Sequence, residues 1–251
     1  MPSGVEPITL IPAAFILLAA GVVKGTTGFG FALIATPLLL LLWEPKTLVP
    51  VFIPLSIVAD TFIVVQTWRQ VEWGKVLPLV ATGVVGVPLG TYVLLVAPSE
   101  ILRIAVAGIA LTVATLLLLG ITVPIRREKI ASGVTGFLSG LLSTSTTMSG
   151  PPVVLMMINQ GWNRQTFRAC LGMFFFVLQL FAIASLTLAG SLTLQTLAVS
   201  AILWPSVIVG SALALLILPR ISQQVFIRIA IVLVMTTATL VIVQTATKAV
   251  G

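Results

Sequence analysis

The sequence predicts an all-α polytopic membrane protein made of two inverted repeats of about five segments each. The first two segments of each repeat form a broken-helix hairpin. Three observations lead there. Of 251 residues, 59% are hydrophobic and 8% charged, against roughly 25% charged in an ordinary soluble domain. A glycine-rich break at Gly21 to Pro37 is echoed at Gly136 to Pro152. The lysines and arginines divide unequally between the two sides of a membrane only when both breaks are counted as hairpins.

In chain order, apolar segments cover 8–24, 29–43, 48–68, 76–96 and 101–121, then 130–143, 149–160, 164–188, 194–217 and 223–247. Residues 1–122 make the first repeat, 123–129 a charged cytoplasmic linker, and 130–251 the second repeat. Several segments exceed the roughly 20 residues that cross a hydrocarbon core as helix, and none alternates like a barrel strand. The second segment of each half has about 15 and 12 residues. At a rise of about 1.5 Å per residue each falls short of a roughly 30 Å core, so these read as half-helices. Met1 to Pro12 has no basic run and no small-residue cleavage site, and reads as mature protein. One cysteine, Cys170, allows no internal disulfide, and the absence of histidine removes the commonest metal ligand. No metal or cofactor is expected. The net charge of +7 is scattered through short loops, which argues against nucleic acid as a partner.

Both breaks share a pattern. Gly21, Gly25 and Pro37 shifted by 115 give Gly136, Gly140 and Pro152, a register that sets Lys24 against Ser139. Trp43, Thr47 and Asp60 match Trp162, Thr166 and Gln179 at a shift of 119, and Arg103 to Ala105 match Arg228 to Ala230 at 125. If each break is a hairpin, an odd number of crossings separates the halves and they are inverted. The count then puts Arg69, Lys75, Arg126, Arg127, Lys129, Arg164, Arg168, Arg220 and Arg228 inside, and Lys46, Arg103 and Lys248 outside, nine against three. Straight crossings would give six against six. The positive-inside rule favours the hairpins, with both termini outside and the protein in the cell inner (plasma) membrane.

Irregular backbone at membrane depth persists where it is buried in protein or lines a wet cavity. Two facing tips make such a cavity. Thr26 and Thr27 before Gly28, and Ser149 before Gly150-Pro151-Pro152, supply helix-starting chemistry, so both helix N-termini would point free N–H groups at one anion. The candidate binding residues are Lys24, Gly25, Thr26, Thr27, Gly28, Gly30, Ser143, Thr144, Ser145, Thr146, Thr147 and Gly150, with Asp60, Gln179 and Arg168 as coupling or gating candidates. Each has a plainer reading. Gly21, Gly25, Gly136 and Gly140 are the small residues of tight helix packing. Lys24 is either a lure for anions or the partner of Asp60. Asp60 carries a coupling proton, or makes a salt bridge, or locks to Gln66.

The pattern Gly21-x-x-x-Gly25-x-x-Gly28-Phe29-Gly30 leading to Pro37, its echo from Gly136 to Pro152, and the repeat length together resemble the sulfite exporter TauE/SafE family of membrane permeases. The resemblance implies a secondary transporter of small sulfur-containing anions such as sulfite or organosulfonates, with export as the usual direction. The second tip departs from the glycine-rich motif, carrying Ser143-Thr144-Ser145-Thr146-Thr147 instead. Its partners are then a small anion and the lipid bilayer, with a homo-oligomer left open. An anion channel, or a carrier of another small anion, shares the same chemistry. An enzyme using Ser143 or a threonine as nucleophile has only Lys24 and Asp60 as intramembrane bases, and there is no phosphate-binding loop for an ATPase. A scaffold without flux is the remaining rival.

Overall fold

The computed structural model describes residues 5–119 and 128–217, together with Thr239. Among them are nine α-helices, two 3-10 turns and no strand. The 3-10 turn Pro7–Thr9 leads into α1 (Leu10–Thr27), followed by α2 (Phe31–Leu39), α3 (Pro45–Thr67), α4 (Trp73–Val96) and α5 (Ser99–Leu119). The second half supplies α6 (Glu128–Thr146), α7 (Gly150–Asn159), α8 (Arg164–Leu188) and α9 (Leu194–Ile217). Six of the helices among the described residues are long and apolar enough to cross a membrane. Phe15, Val65, Leu77, Val85, Ile104 and Leu188 stand exposed on the outer surface, as suits side chains facing lipid. The expected segment 223–247, most of the linker 123–129, Arg220, Arg228 and Lys248 lie outside the described residues.

Local chemistry sets the boundaries. Pro45 opens α3 at a position where its missing N–H has no partner to lose. Asn163 Oδ1 accepts the Thr166 N–H at 2.9 Å and caps α8. The half-helices α2 and α7 have 9 and 10 residues, shorter than expected, and at about 1.5 Å per residue cover roughly half of a hydrocarbon core. In the first half the remaining residues tighten into turns, Leu41 N–H to Leu38 O at 3.2 Å and Leu42 N–H to Leu39 O at 3.0 Å. The Trp43 indole then donates to Thr9 Oγ1 at 2.9 Å. The chain leaving α2 is therefore back beside the start of α1, and the first break is a hairpin.

The helix boundaries correct the internal register. Thr27 and Thr146 end helices, Phe31 and Gly150 begin them, and Pro45 and Arg164 begin the next, every pair 119 residues apart. The glycine motif suggested 115. At a shift of 119 the motif keeps one match, Gly21 with Gly140, while Gly25 meets Thr144 and Pro37 meets Met156, so the glycines and proline match about one helical turn out of step with the helix boundaries. In the 119 register the counterpart of Lys24 is Ser143, and Ser139 loses that role.

Packing follows the same exchange of halves. Helix α1 lies on α9 and α6 on α4, while α3 lies on α8 and α9, and α8 on α3 and α4. Small residues let these backbones close. A side chain at Gly21 would meet Val207 O at 3.0 Å, one at Gly25 the Ala214 Cβ, one at Gly136 the Leu79 carbonyl and one at Gly140 the Gly83 carbonyl. Gly210 on α9 and Gly86 and Gly90 on α4 are as tightly faced, by Leu18, Phe137 and Leu141. The motif glycines thus serve close helix packing, the plainer of their two readings.

Two polar clusters mark opposite ends of α3. At its start, Arg103 donates to Leu40 O at 2.5 Å and pairs with Glu44 at 2.9 Å, and Lys46 donates to Leu95 O at 2.9 Å. Beyond its other end, Thr166 Oγ1 donates to Glu72 at 2.7 Å and Lys75 pairs with Glu72 at 2.8 Å. The Lys75 ammonium also lies 4.9 Å from the Trp162 ring centroid. The α2–α3 junction belongs to the first cluster and the α7–α8 junction to the second.

Candidate functional site

The first tip is shaped by two glycines. Gly28 at φ 86° closes α1 and Gly30 at φ 89° precedes α2, both in the left-handed region where a side chain is strained. In the 119 register Gly28 corresponds to Thr147, which adopts φ 63° without being glycine. The same backbone bend therefore ends α1 and α6. At Thr147 it is stabilised by a hydroxyl contact to Thr36 Oγ1 on α2, at 2.5 Å, which ties the second tip to the first half-helix.

A cavity of about 30 Å³ lies where the two tips meet. The first tip contributes Lys24 and Phe29 to Leu33, the second Thr147 to Pro151, α3 contributes Ser56, and α8 contributes Phe175 and Gln179. The N–H groups of Phe31, Ala32 and Leu33 precede the first hydrogen bond of α2, Ile34 N–H to Gly30 O at 3.1 Å, and no side chain caps that end. The second tip offers less: Pro151 and Pro152 have no N–H, leaving that of Gly150 at the start of α7.

The capping expected of Thr26 and Thr27 is not what the structure shows. Both belong to the last turn of α1 and donate to Val23 O, at 2.8 and 2.9 Å. Thr27 also accepts the Phe29 N–H at 3.2 Å. Ser149 occupies the N-cap position of α7 but makes no capping bond. The Gly28 N–H, one of the expected anion donors, bonds Lys24 O at 2.7 Å. Among the cavity-lining residues, the N–H groups that precede the first hydrogen bond of α2 start three residues later, at Phe31.

The remaining hydroxyls are divided in the same way. Thr144 donates to Val87 O on α4 at 2.8 Å, Ser145 to Leu141 O at 2.7 Å and Thr146 to Leu142 O at 3.0 Å. In apolar surroundings a helical hydroxyl finds its nearest acceptor one turn back. Ser143 Oγ is fully buried and has no hydrogen-bond partner among the described residues. Of the run Ser143 to Thr147, Thr147 reaches the cavity wall. Gly25 faces α9, and its carbonyl accepts from Arg168 Nη2 at 2.9 Å. Arg168 also donates to Gln66 Oε1 at 3.2 Å, and its Cγ would lie 3.1 Å from a Cβ at Gly28. Arg168 braces the first tip from behind.

Lys24 is the charged group of the wall. It is 4% exposed and its ammonium lies 2.6 Å from Asp60 Oδ1, whose residue is fully buried. The contact is an ion pair outside aligned hydrogen-bond geometry, and Asp60 Oδ2 has no hydrogen-bond partner among the described residues. The rings of Phe31 and Phe175 flank the ammonium at 5.6 and 5.5 Å. Asp60 stands behind Lys24, away from the cavity wall. Its counterpart Gln179 is on the wall, 4% exposed, with Oε1 unpartnered among the described residues.

The sequence reading had not singled out Ser56, Phe29, Phe31 or Phe175. The signal for two of them was present. Ser56 and Phe175 precede Asp60 and Gln179 by four residues each, on the same helix face, and are themselves 119 apart.

The family model described as Sulfite exporter TauE/SafE matches residues 13–241, most of the chain and both halves. Comparisons with curated proteins and with solved structures gave no significant match.

Proposed function

The chain belongs to the sulfite exporter TauE/SafE family of membrane transporters, and on that premise we propose that it carries small sulfur-containing anions out of the cell by alternating access. The observation that carries this reading is one wall shared by two kinds of anion donor. The uncapped N–H groups of Phe31, Ala32 and Leu33 and the Lys24 ammonium line the same cavity between the tips. A helix N-terminus and a lysine in a dry pocket favour negative charge. Thr147, Gly150 and Gln179 complete the site with neutral donors. Lys24, Gly30, Thr147, Gly150 and Gln179 touch the anion in this reading, and Gly25, Thr26, Thr27, Gly28, Ser143, Thr144, Ser145, Thr146 and Arg168 hold the two tips in shape.

A space of about 30 Å³ admits roughly one or two waters. An oxyanion therefore needs the tips to part, and the described state is a contracted one. Alternation follows from inverted repeats, in which each half adopts the other's shape. The reading is supported by the exchange of packing partners between the halves and by the α2–α3 and α7–α8 junctions joining clusters at opposite ends of α3. The inner (plasma) membrane is the proposed location.

The test is a thermal-shift screen of the purified protein against sulfite, sulfate, thiosulfate, methanesulfonate, taurine and bicarbonate. Stabilisation by the singly charged sulfur oxyanions is expected. Stabilisation by a cation or a neutral solute alone would sink the anion site. Saturable uptake with counterflow in liposomes separates the carrier from a channel.

A further inference from the structure

Asp60 is buried in mid-helix on α3, touches the cavity lysine, and has no second partner for its carboxylate among the described residues. An anion that enters the cavity competes with Asp60 for the Lys24 ammonium. Resting on the reading of that cavity as an anion site, we propose that Asp60 takes up one proton whenever Lys24 takes up the anion, so that a proton and a singly charged anion cross together.

The charge balance carries the argument. Before binding, the site holds one ammonium and one carboxylate and is neutral. If the anion simply added, two negative charges would share one ammonium beside the rings of Phe31 and Phe175, with Asp60 cut off from water. Ring faces are themselves negative, and a buried charge without a partner is expensive. One proton from the open aqueous side, forming an O–H bond on Asp60, restores neutrality: the ammonium pairs with the anion and the acid is uncharged. Substrate release reverses the step, the proton leaves, and Asp60 returns to Lys24 so that the empty carrier can reorient without a bare buried charge.

Among the described residues the surroundings leave this role to Asp60, the Cys170 thiol on α8 being engaged as acceptor of the Glu72 N–H. Helices α2, α7 and α9 carry no ionisable side chain. Arg168 on α8 is held on Gly25 O and Gln66 Oε1, Arg103 on α5 is paired with Glu44, Lys75 on α4 is paired with Glu72, and Glu128 and Lys129 lie in the first turn of α6. In the 119 register Ser143 and Gln179 replace the ion pair in the second half, and neither titrates. One cycle thus moves one proton, and the predicted ratio is one to one.

Such a carrier is electroneutral. A membrane potential, which would bias a uniported monoanion about fifty-fold per 100 mV, leaves it unaffected. A pH difference instead biases it about tenfold per unit, towards the alkaline side. Export then runs down the anion's own gradient and carries acid with it.

The experiment uses the full chain in weakly buffered liposomes with a trapped pH dye, with potential clamped by potassium and valinomycin. The probe is labelled methanesulfonate, the anion of a strong acid, so that any proton that moves belongs to the protein. An inward methanesulfonate gradient is expected to acidify the lumen at one proton per anion, with uptake unchanged between zero and about 100 mV inside-negative. Asp60→Asn is expected to abolish the acidification and to remove the pH dependence of methanesulfonate binding. Uptake without a pH change, slowed by an inside-negative potential, overturns the proton coupling and leaves the anion carrier standing. Absence of both methanesulfonate binding and flux overturns the anion site and this inference with it.

Discussion

Lys24 and Asp60 are each costly where they are found, and each makes the other tolerable. Removing one partner of a buried pair leaves an uncompensated charge, a loss of about 3–5 kcal/mol, whereas replacing both with apolar groups is often neutral. Lys24→Met alone is therefore expected to destabilise the protein by about 3–5 kcal/mol, with Lys24→Met/Asp60→Leu recovering most of that loss. Detergent unfolding curves check this. Equal stability of the single variant and the wild type at high pH, where Asp60 cannot be neutralised by a proton, would mean that Asp60 has another partner. The pair was legible in the sequence as one of two alternatives, because a lone acid in an apolar helix requires a partner and a lysine stood near the same depth. The wall around it was less so. Nothing in the sequence separates Phe31 and Phe175 from the other apolar residues, and nothing in a one-letter string tells a free N–H from one already bonded, as the shift from Gly28 to Phe31 shows.

At the scale of elements, glycine and proline carried most of the information. The segments 164–188 and 194–217 coincide with α8 and α9, because Asn163 and Gly190 punctuate them. The hairpin lengths were overestimated because hydropathy continues through Leu40 to Leu42 after the helix has tightened into turns. The register slip has a different cause, since Gly21, Gly25 and Pro37 find their matches one helical turn out of step with the helix boundaries, and residue identity alone favours 115. Helices are also joined by polar contacts that hydropathy cannot report. Glu72, between α3 and α4, accepts from Lys75 and from Thr166 at the start of α8. Lys75 first, and Thr166 after it, hold its carboxyl below the ordinary value. A lowered folded-state value means that Glu72 stabilises the fold at neutral pH and that this contribution disappears as acidification protonates it. Glu72→Gln is expected to lower the melting temperature at pH 7 by roughly 2 °C or less. The difference from wild type should close at pH values below the carboxylate range. A gap that persists in acid would assign the effect to shape and not to charge.

For the whole molecule, the decisive question is how the halves face each other. Arg69, Lys75, Arg164 and Arg168 belong to the end of α3 where α8 begins, with Glu72 paired to Lys75, while Lys46 and Arg103 belong to the other end, with Glu44 paired to Arg103. The less neutralised basic end is expected in the cytoplasm. Lys46 and Gln165 are equivalent positions, 119 apart, and both are exposed. Parallel repeats would put equivalent positions on the same side of the membrane, and inverted repeats on opposite sides. In a Cys170→Ser background, Lys46→Cys is therefore expected to react with a membrane-impermeant maleimide in intact cells. Gln165→Cys and Arg69→Cys should react only after the membrane is opened. Labelling of Lys46→Cys and Gln165→Cys from the same side would show parallel halves, and alternation by exchange of shapes would then lose its basis. If they label from opposite sides, the two tips approach one cavity from opposite faces, and a charged pair in one half opposite neutral Ser143 and Gln179 in the other becomes an asymmetry that can couple a proton to an anion.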